Sequence, residues 1–350
     1  MEFLIMKNNS WRNKITWLVG LLVLVSMNVH SDDHAGDGNS AIQVLRTGIP
    51  HDSLYDLEMD GSWGMAVGNF GLALHTANGG ETWELLPPIK DANGEALKVA
   101  LLAIAKDGDN VILTGQQGLV VTKEGEGEWE VQNSGLDARL LNVDSSEGLT
   151  MAIGEFGFIG RSSDGGKSWE QVTVDWGKFN DEGYEPHLYD VVIQSGGRVL
   201  IAGEFGLILR STDGGKTFNA AARGEQSVFD IHLPSDGTSN GYAVGQEGLI
   251  LKTLDGGKSW KQLDKITNAN LLGVWSGHDE VVITGIRELL RSSDGGSSFT
   301  SGKSDIQIGR TWYQGVASGS SQKSTGVSGV LAEESVYIVG HQGSIARITQ

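Results

Sequence analysis

The chain has 350 residues, of which 44 are acidic and 26 are lysine or arginine, so its formal net charge is −18. A chain this acidic lacks the overall basic footprint that phosphate binding requires, which excludes nucleic acid as the expected partner. Cysteine is absent. The chain therefore has no disulfide, no thiol nucleophile and no cysteine on which a lipid anchor could be built.

The amino-terminal residues have the pattern of a secretory leader. Basic residues precede an apolar run over residues 15–25, and a small residue stands before an acidic pair. This arrangement predicts a signal peptide over residues 1–31, a solvated linker over residues 32–40, and export to a periplasmic or lumenal compartment; the alternative is an uncleaved anchor. No later segment reaches the roughly 18 apolar residues that a spanning helix needs, so we expect no stable membrane insertion.

A repeated pair of glycines, G-x-x-G, divides the rest of the chain. Its copies begin at Gly68, Gly115, Gly154, Gly203, Gly245, Gly285 and Gly340. Apolar strands flank each pair, so each pair is predicted to be a tight hairpin turn. The copies are 39 to 55 residues apart, which is the period of propeller blades. The repeat predicts an all-β, seven-bladed β-propeller over residues 41–350, with four antiparallel strands in each blade.

A second motif, S/T-x-D-G-G, follows the glycine pairs and resembles an Asp-box. Its aspartates are Asp164, Asp213, Asp255 and Asp294. We expect each carboxylate to accept backbone N–H bonds inside its turn, and the aromatic residue that ends the motif to cover the hairpin. One residue repeated around a ring is usually scaffold, so we interpret these aspartates as structural and expect no metal or cofactor. Blade 1 keeps a near-match at Asn78, and blade 2 keeps little beyond Gly127 and Trp129.

The seventh copy ends at Ile348 without a fourth strand. Residues 41–46 form an apolar segment ahead of the first complete blade. We predict that this segment supplies the missing outer strand and closes the ring, which leaves no large open edge.

The two motifs combine with an intervening basic residue at 154–169, 203–218 and 245–260. In this combination the chain resembles the photosystem II stability/assembly factor-like propellers, over residues 41–350. The resemblance implies a non-enzymatic protein-binding or assembly factor of the kind that acts in photosynthesis. We also expect the protein to be a monomer. The implied partner is a protein client, a membrane-complex subunit with an exported segment, as the D1 subunit is for plant and cyanobacterial members.

Members of that family also carry an arginine patch, and the resemblance implies a partner-binding role for the basic residues that follow the G-x-x-G turns. These residues are Arg161, Arg210, Lys252, Arg291 and Arg347. The alternative is that each one bridges to a carboxylate or carbonyl of the adjacent blade and belongs to blade packing.

The loop over residues 172–186 is the other predicted recognition element, because long loops on a rigid scaffold commonly carry binding residues. It contains Trp176, Phe179 and Tyr184 among acidic residues, and exposed aromatic residues suit protein contact. The alternative is that Trp176 and Tyr184 fold back onto the neighbouring blade.

A carbohydrate-active propeller is the rival function, because sialidases and some endoglucanases are built on similar repeats. Candidate carboxylates for a glycoside hydrolase are Glu155, Glu204, Glu247 and Asp181, but their spacing singles out no pair. Metalloprotease, P-loop and nucleophile-elbow motifs are missing from the sequence. We therefore predict no catalytic residues.

Overall fold

The structure is a computed structural model that describes residues 40–179, 183–234, 239–325 and 329–349. Its strands form seven four-stranded antiparallel sheets, and the innermost strand of each sheet contacts the innermost strands of its two neighbours around a ring. This arrangement confirms the predicted seven-bladed β-propeller. The predicted signal peptide and residues 32–39 of the predicted linker lie outside the described residues, and both stay predictions.

The first strand is β1 (Ile42–Arg46), which belongs to blade 7. Blade 1 consists, from the channel outwards, of β2 (Leu54–Asp60), β3 (Trp63–Gly68), β4 (Ala73–Thr76) and β5 (Glu84–Leu85). Blade 2 consists of β6 (Leu101–Asp107), β7 (Asn110–Gly115), β8 (Val120–Glu124) and β9 (Glu130–Gln132). Blade 3 consists of β10 (Leu140–Ser146), β11 (Leu149–Gly154), β12 (Ile159–Ser162) and β13 (Glu170–Gln171).

The remaining blades follow the same order. Blade 4 consists of β14 (Leu188–Gln194), β15 (Arg198–Gly203), β16 (Ile208–Ser211) and β17 (Asn219–Ala222). Blade 5 consists of β18 (Val228–His232), β19 (Gly241–Gly245), β20 (Ile250–Thr253) and β21 (Lys261–Gln262). Blade 6 consists of β22 (Leu271–Gly277), β23 (Glu280–Gly285), β24 (Glu288–Ser292) and β25 (Thr300–Ser301). Blade 7 consists of β26 (Tyr313–Thr325), β27 (Gly329–Gly340), β28 (Ile345–Ile348) and β1. Short 3₁₀ turns occur at Asn69–Gly71, Gln116–Gly118, Trp176–Lys178 and Gln246–Gly248.

Blade 7 is closed by the amino-terminal strand, as the sequence predicts. β1 pairs antiparallel with β28, with Ile42 opposite Ile348. The backbone N–H of Thr349 also donates to the carbonyl of Ala41 over 3.2 Å. Because the two strands come from opposite ends of the propeller sequence, their pairing joins the ring.

The hydrophobic core lies between the blades. The described residues contain seven clusters of buried apolar side chains, and each cluster combines residues of two adjacent blades. Ile153 of blade 3, for example, packs in one cluster with Leu188 and Val199 of blade 4. Stability is therefore distributed over nearest-neighbour interfaces, as in other repeat folds.

The antiparallel order places the connections on two opposite faces. The G-x-x-G turns and the blade-to-blade loops share one face, and the D-G-G turns share the other with the hairpins between the first two strands of each blade. Gly154 shows why the first glycine is needed, because a Cβ there would lie 2.1 Å from the carbonyl oxygen of Arg139 on the incoming loop. Gly157 has a φ of +67°, which favours glycine.

The D-G-G turns have the internal hydrogen bonds predicted from the sequence. Oδ1 of Asp164 accepts from the backbone N–H of Ser168 over 2.9 Å, and Trp169 donates its Nε1–H to the carbonyl of Gly166 over 2.9 Å. The pKa of Asp164 falls to about 2, chiefly because its carboxylate accepts a hydrogen bond from the Ser168 side chain. The aspartate thus stabilises its own turn.

One feature of blade 7 was not predicted. Strands β26 and β27 are 13 and 12 residues long, whereas the first two strands of the other blades have at most seven. The hairpin pairs as far as Thr325 opposite Gly329, but β28 pairs with β27 only over Tyr337–Val339. The paired backbone therefore extends well beyond the four-stranded part of the blade. The sequence signal is the 55-residue gap between the sixth and seventh glycine pairs.

Candidate functional site

Each innermost strand carries a β-bulge at its second residue. The register shifts there in all seven blades, and the bulged residues are Tyr55, Leu102, Leu141, Tyr189, Phe229, Leu272 and Gln314. All seven line a single cavity of about 390 Å³. Bulges commonly redirect side chains at functional edges. Because the innermost strands begin at the G-x-x-G face, this bulge ring lies at the mouth of the central channel on that face.

The bulge ring is mainly apolar and aromatic. Tyr189 and Phe229 meet edge to face with their ring centroids 5.2 Å apart. Tyr55 stacks on Trp312 with a centroid separation of 6.4 Å and an interplanar angle of 8°. The wall beside the ring adds polar groups from Arg139, Glu155 and His187. An apolar floor with a few polar groups at its edge is typical of a binding pocket.

A second cavity of about 350 Å³ adjoins the mouth. The two cavities share Arg139 and Glu155 in their walls, and the second one continues outwards past Phe156 and Phe158. Arg139 lies 3.5 Å from Glu155, so the shared wall contains an ion pair. The two cavities thus lie on either side of a shared wall, one at the channel mouth and the other between blades 2 and 3. We call the pair of cavities the mouth groove.

Three of the glycine pairs present a phenylalanine on the same face. Phe70, Phe156 and Phe205 have φ values of 54°, 53° and 60°, in a left-handed region that bulky residues rarely adopt. Their exposed fractions are 71%, 67% and 43%. Phe156 packs against His187 of the mouth groove, with centroids 5.0 Å apart. The corresponding residue has a φ of 53° to 60° in all seven glycine pairs, so this conformation belongs to the turn. The exposure of the three aromatic rings is the feature to explain by function, because it does not stabilise the fold.

The predicted basic residues lie elsewhere, among the blade interfaces. Arg161 donates its Nε–H to the carbonyl of Gly214 on blade 4 over 2.8 Å and pairs with Glu170 at 2.7 Å. Lys252 of blade 5 donates to the carbonyl of Gly295 on blade 6 over 2.6 Å. These contacts are those expected of blade packing, the second of the two alternatives drawn from the sequence.

The other three basic residues have different contacts. Arg291 of blade 6 donates to the carbonyl of Thr349 and lies 3.5 Å from Glu280. Arg347 of blade 7 pairs with Glu81 of blade 1 at 3.0 Å. Arg210 has a buried Nε atom with no hydrogen-bond partner among the described residues. The patch implied by the family resemblance is therefore, at four of its five positions, engaged within the propeller itself.

The three predicted aromatic residues of the loop over residues 172–186 differ in their exposure to solvent. Trp176 is only 7% exposed and packs into the cluster between blades 3 and 4, so the expectation of an exposed Trp176 is wrong. The physical reason is Gly157, since the indole lies where a Cβ of that residue would be, 2.6 Å away. Phe179 is half-buried beside Trp176 and under Arg223. Tyr184 is 60% exposed and stays a candidate contact residue.

The candidate carboxylates of a glycoside hydrolase have separate contacts in the described residues. Glu155, Glu204 and Glu247 lie on the G-x-x-G turns of three successive blades, and Asp181 lies outside the described residues. Glu155 pairs with Arg139, and Glu204 accepts the backbone N–H of His187 over 2.9 Å. Within the described ranges, no three histidine, aspartate or glutamate side chains are grouped so that they could hold a metal ion.

Carboxylates on the innermost strands join neighbouring blades. Asp56 accepts the backbone N–H of Ile104 over 2.7 Å, and Asp230 accepts that of Val274 over 2.6 Å. Burial raises the pKa of Asp56 to about 6 and that of Asp230 to about 7, although these hydrogen bonds oppose the rise. Burial is the largest cause in each case because the charged form loses its hydration.

The fold and this site define the class of the protein: a seven-bladed β-propeller with a ring of mainly apolar bulged side chains at the G-x-x-G mouth of its channel. In the part of the chain that the structure describes, no helix is long and apolar enough to cross a membrane. No protein-family model matches the chain, and no curated protein matches it.

Solved structures are similar in fold. One of YCF48 bound to D1 peptide is 16% identical with a TM-score of 0.66, over 90% of this chain and 97% of that chain. Another, YCF48 from Cyanidioschyzon merolae, is 18% identical with a TM-score of 0.64, over 88% and 98%. A GH74 xyloglucanase from Xanthomonas campestris is 16% identical with a TM-score of 0.63, over 87% of this chain and 53% of that chain. At these identities the likeness shows the fold alone.

Proposed function

We propose that this chain is a non-enzymatic protein-binding propeller that holds an extended peptide segment of a client in the mouth groove. The observation that carries the proposal is the group of exposed phenylalanines in left-handed turns, of which Phe156 borders the groove. Aromatic anchors around an apolar pocket are the usual energetic centre of a protein interface. The similar fold of YCF48 bound to D1 peptide supports a peptide client.

The groove suits an extended segment better than a compact ligand. Its two cavities of about 390 and 350 Å³ share one wall and extend from the channel mouth to the space between blades 2 and 3. The bulge ring offers apolar side chains at the inner end, and the ion pair of Arg139 with Glu155 stands where the cavities meet. A peptide could place one apolar side chain in the ring and its polar backbone beside the ion pair.

We further propose that the client is a membrane-complex subunit with an exported segment, and that this protein meets it as a monomer in a periplasmic or lumenal compartment. The leader-like pattern of residues 1–31 supports the compartment. The resemblance to photosystem II assembly factor-like propellers supports the kind of client. Glycoside hydrolysis is the rival function. The ion pair of Glu155 with Arg139 and the hydrogen bond of Glu204 with the His187 backbone argue against it.

Site-specific photo-crosslinking tests the proposal. A photoreactive phenylalanine analogue replaces Phe156 at the groove, and in a matched control it replaces Leu254, which is 68% exposed on the D-G-G face. We expect a client adduct in membrane extracts from position 156 and not from position 254. Equal adducts from both positions, or a glycosidase activity of the parent protein, would overturn the proposal.

A further inference from the structure

The D-G-G turns fill slots between adjacent blades. The second glycine of each turn lies directly on the preceding blade, so that a Cβ on Gly215 would be 2.7 Å from Met151, and a Cβ on Gly257 would be 2.5 Å from Leu200. The first glycine presents its carbonyl to the same blade, where Arg161 donates to the Gly214 carbonyl. The Gly295 carbonyl likewise accepts from Lys252 over 2.6 Å, whereas the Gly165 carbonyl accepts from Asn110 over 3.3 Å. Two of these slots therefore have a basic donor to the turn in their wall.

The Asn-Gly-Gly turn of blade 1 packs in the same way, with Gly80 on Tyr337 of blade 7. With this turn counted, two of the seven slots have no such turn. Blade 7 has none among the described residues, because its outer strand β1 does not follow β28 along the chain. In blade 2 the corresponding connection contains Gly125 and Gly127 without the D-G-G motif. A cavity of about 470 Å³ lies between blades 6 and 7, and one of about 260 Å³ lies between blades 1 and 2. Cavities on this face thus coincide with the missing turns.

The larger cavity, which we call the open slot, keeps the chemistry of the filled slots. Arg291 lines it at the position that Arg161 and Lys252 occupy on their blades. Its contacts with Thr349 and Glu280 involve two of its five N–H donors. Arg347 and Glu334 add one further charge of each sign to the wall.

We propose that the open slot is a second binding site, which accepts an Asp-Gly-Gly turn from a partner protein. The occupant follows from the filled slots of the same propeller, where a turn of this chemistry packs its glycine on the preceding blade and offers a carbonyl to the basic residue. Arg291 donates a hydrogen bond to the first glycine carbonyl of the incoming turn. This site lies on the face opposite the mouth groove.

The probe is a cyclic peptide that carries Ser-Thr-Asp-Gly-Gly-Lys-Thr-Phe, the sequence of residues 211–218. The control peptide has alanine in place of both glycines, since Gly214 and Gly215 have φ values of 75° and 74° that alanine disfavours. Calorimetric titration of the full chain should show binding of the first peptide, and about tenfold weaker binding of the second, or none.

Two protein variants locate the site. Ser335→Trp places an indole in the open slot, which Ser335 lines, and should abolish peptide binding. Lys261→Trp, a matched change on the exposed outer strand of blade 5, should leave it unchanged. The proposal is wrong if the parent binds neither peptide, if both peptides bind equally, or if Ser335→Trp binds like the parent while retaining its melting temperature. None of these results bears on crosslinking at position 156.

Discussion

The Nε–H of Arg161 donates to the carbonyl of Gly214, 2.8 Å away on the next blade. A residue that the family resemblance assigns to a binding patch is thus tied to the turn that locks two blades together. Lys252 repeats the contact with Gly295. The regular spacing of the basic residues along the sequence follows from the regular packing of the blades.

Replacing Arg161 by Glu should therefore lower the melting temperature. The change sets a carboxylate against the Gly214 carbonyl and against Glu170, and the loss of a charge-assisted hydrogen bond costs about 2 kcal/mol. Lys216→Glu is the control, because Lys216 is exposed on the adjacent turn and, among the described residues, forms its hydrogen bond through the backbone N–H. Thermal melts decide the point. An unchanged melt combined with weaker client capture would favour the recognition alternative.

Trp169→Ala should destabilise the protein by about 3 kcal/mol, the low end for truncation of a large aromatic residue. Trp169 packs against the cluster between blades 2 and 3 and donates to the Gly166 carbonyl. Chemical denaturation of this variant and of Leu254→Ala provides the comparison, because Leu254 is exposed. Similar unfolding free energies for the two variants would contradict the covering role of Trp169.

Deleting residues 32–46 should make the protein aggregate. The deletion removes β1 and leaves the backbone of β28 unpaired along one edge, and exposed edge strands readily pair with other chains. It also removes the donation from Arg46 to the Gly343 carbonyl over 2.7 Å. Size-exclusion chromatography of the truncated and parent proteins measures the effect. A truncated protein that stays monomeric and melts like the parent would show that β1 is dispensable for closure.

The propeller could be predicted because the sequence motif of a blade is repeated along the chain. Seven glycine pairs fix the number of blades, and a missing final strand together with a spare apolar segment fixes the closure. The bulge ring could not be predicted, since Tyr55, Leu102 and Leu141 look like ordinary strand residues. Only the register of each innermost strand with its neighbour shows that they are bulged.

Individual tertiary contacts could likewise not be predicted from the sequence. Trp176 reads as an exposed loop residue, and its burial depends on the space left by Gly157, 19 positions earlier in the chain. The phenylalanines of the glycine pairs were visible in the sequence at 70, 156 and 205. Their importance depends on their exposure and on a shared face, which are properties of the folded chain.

Two groups of carboxylates give the propeller opposite responses to pH. Burial raises the pKa of Asp56 and Asp144 to about 6 and that of Asp230 to about 7. Hydrogen bonds within the D-G-G turns lower the pKa of Asp255 and Asp294 to about 2. In the unfolded chain each of these groups titrates near its ordinary value of about 3.9.

The melting temperature should therefore rise as the pH falls from 8 to about 5, and decrease again below about pH 4. Over the upper range the folded state binds protons at the buried carboxylates before the unfolded state does, so protonation stabilises the fold. Over the lower range the unfolded state binds protons first, because the D-G-G aspartates resist protonation in the fold.

Asp144→Asn should reduce the dependence of the melting temperature on pH between 5 and 8, since the amide oxygen can still accept from Ile193 without ionising. Asp264→Asn is the control, because Asp264 is exposed. It should leave the pH dependence of the melting temperature as in the parent. Scanning calorimetry from pH 2 to 8 measures all three proteins, and a parent melting temperature that rises steadily from pH 5 to 8 would contradict the raised pKa values.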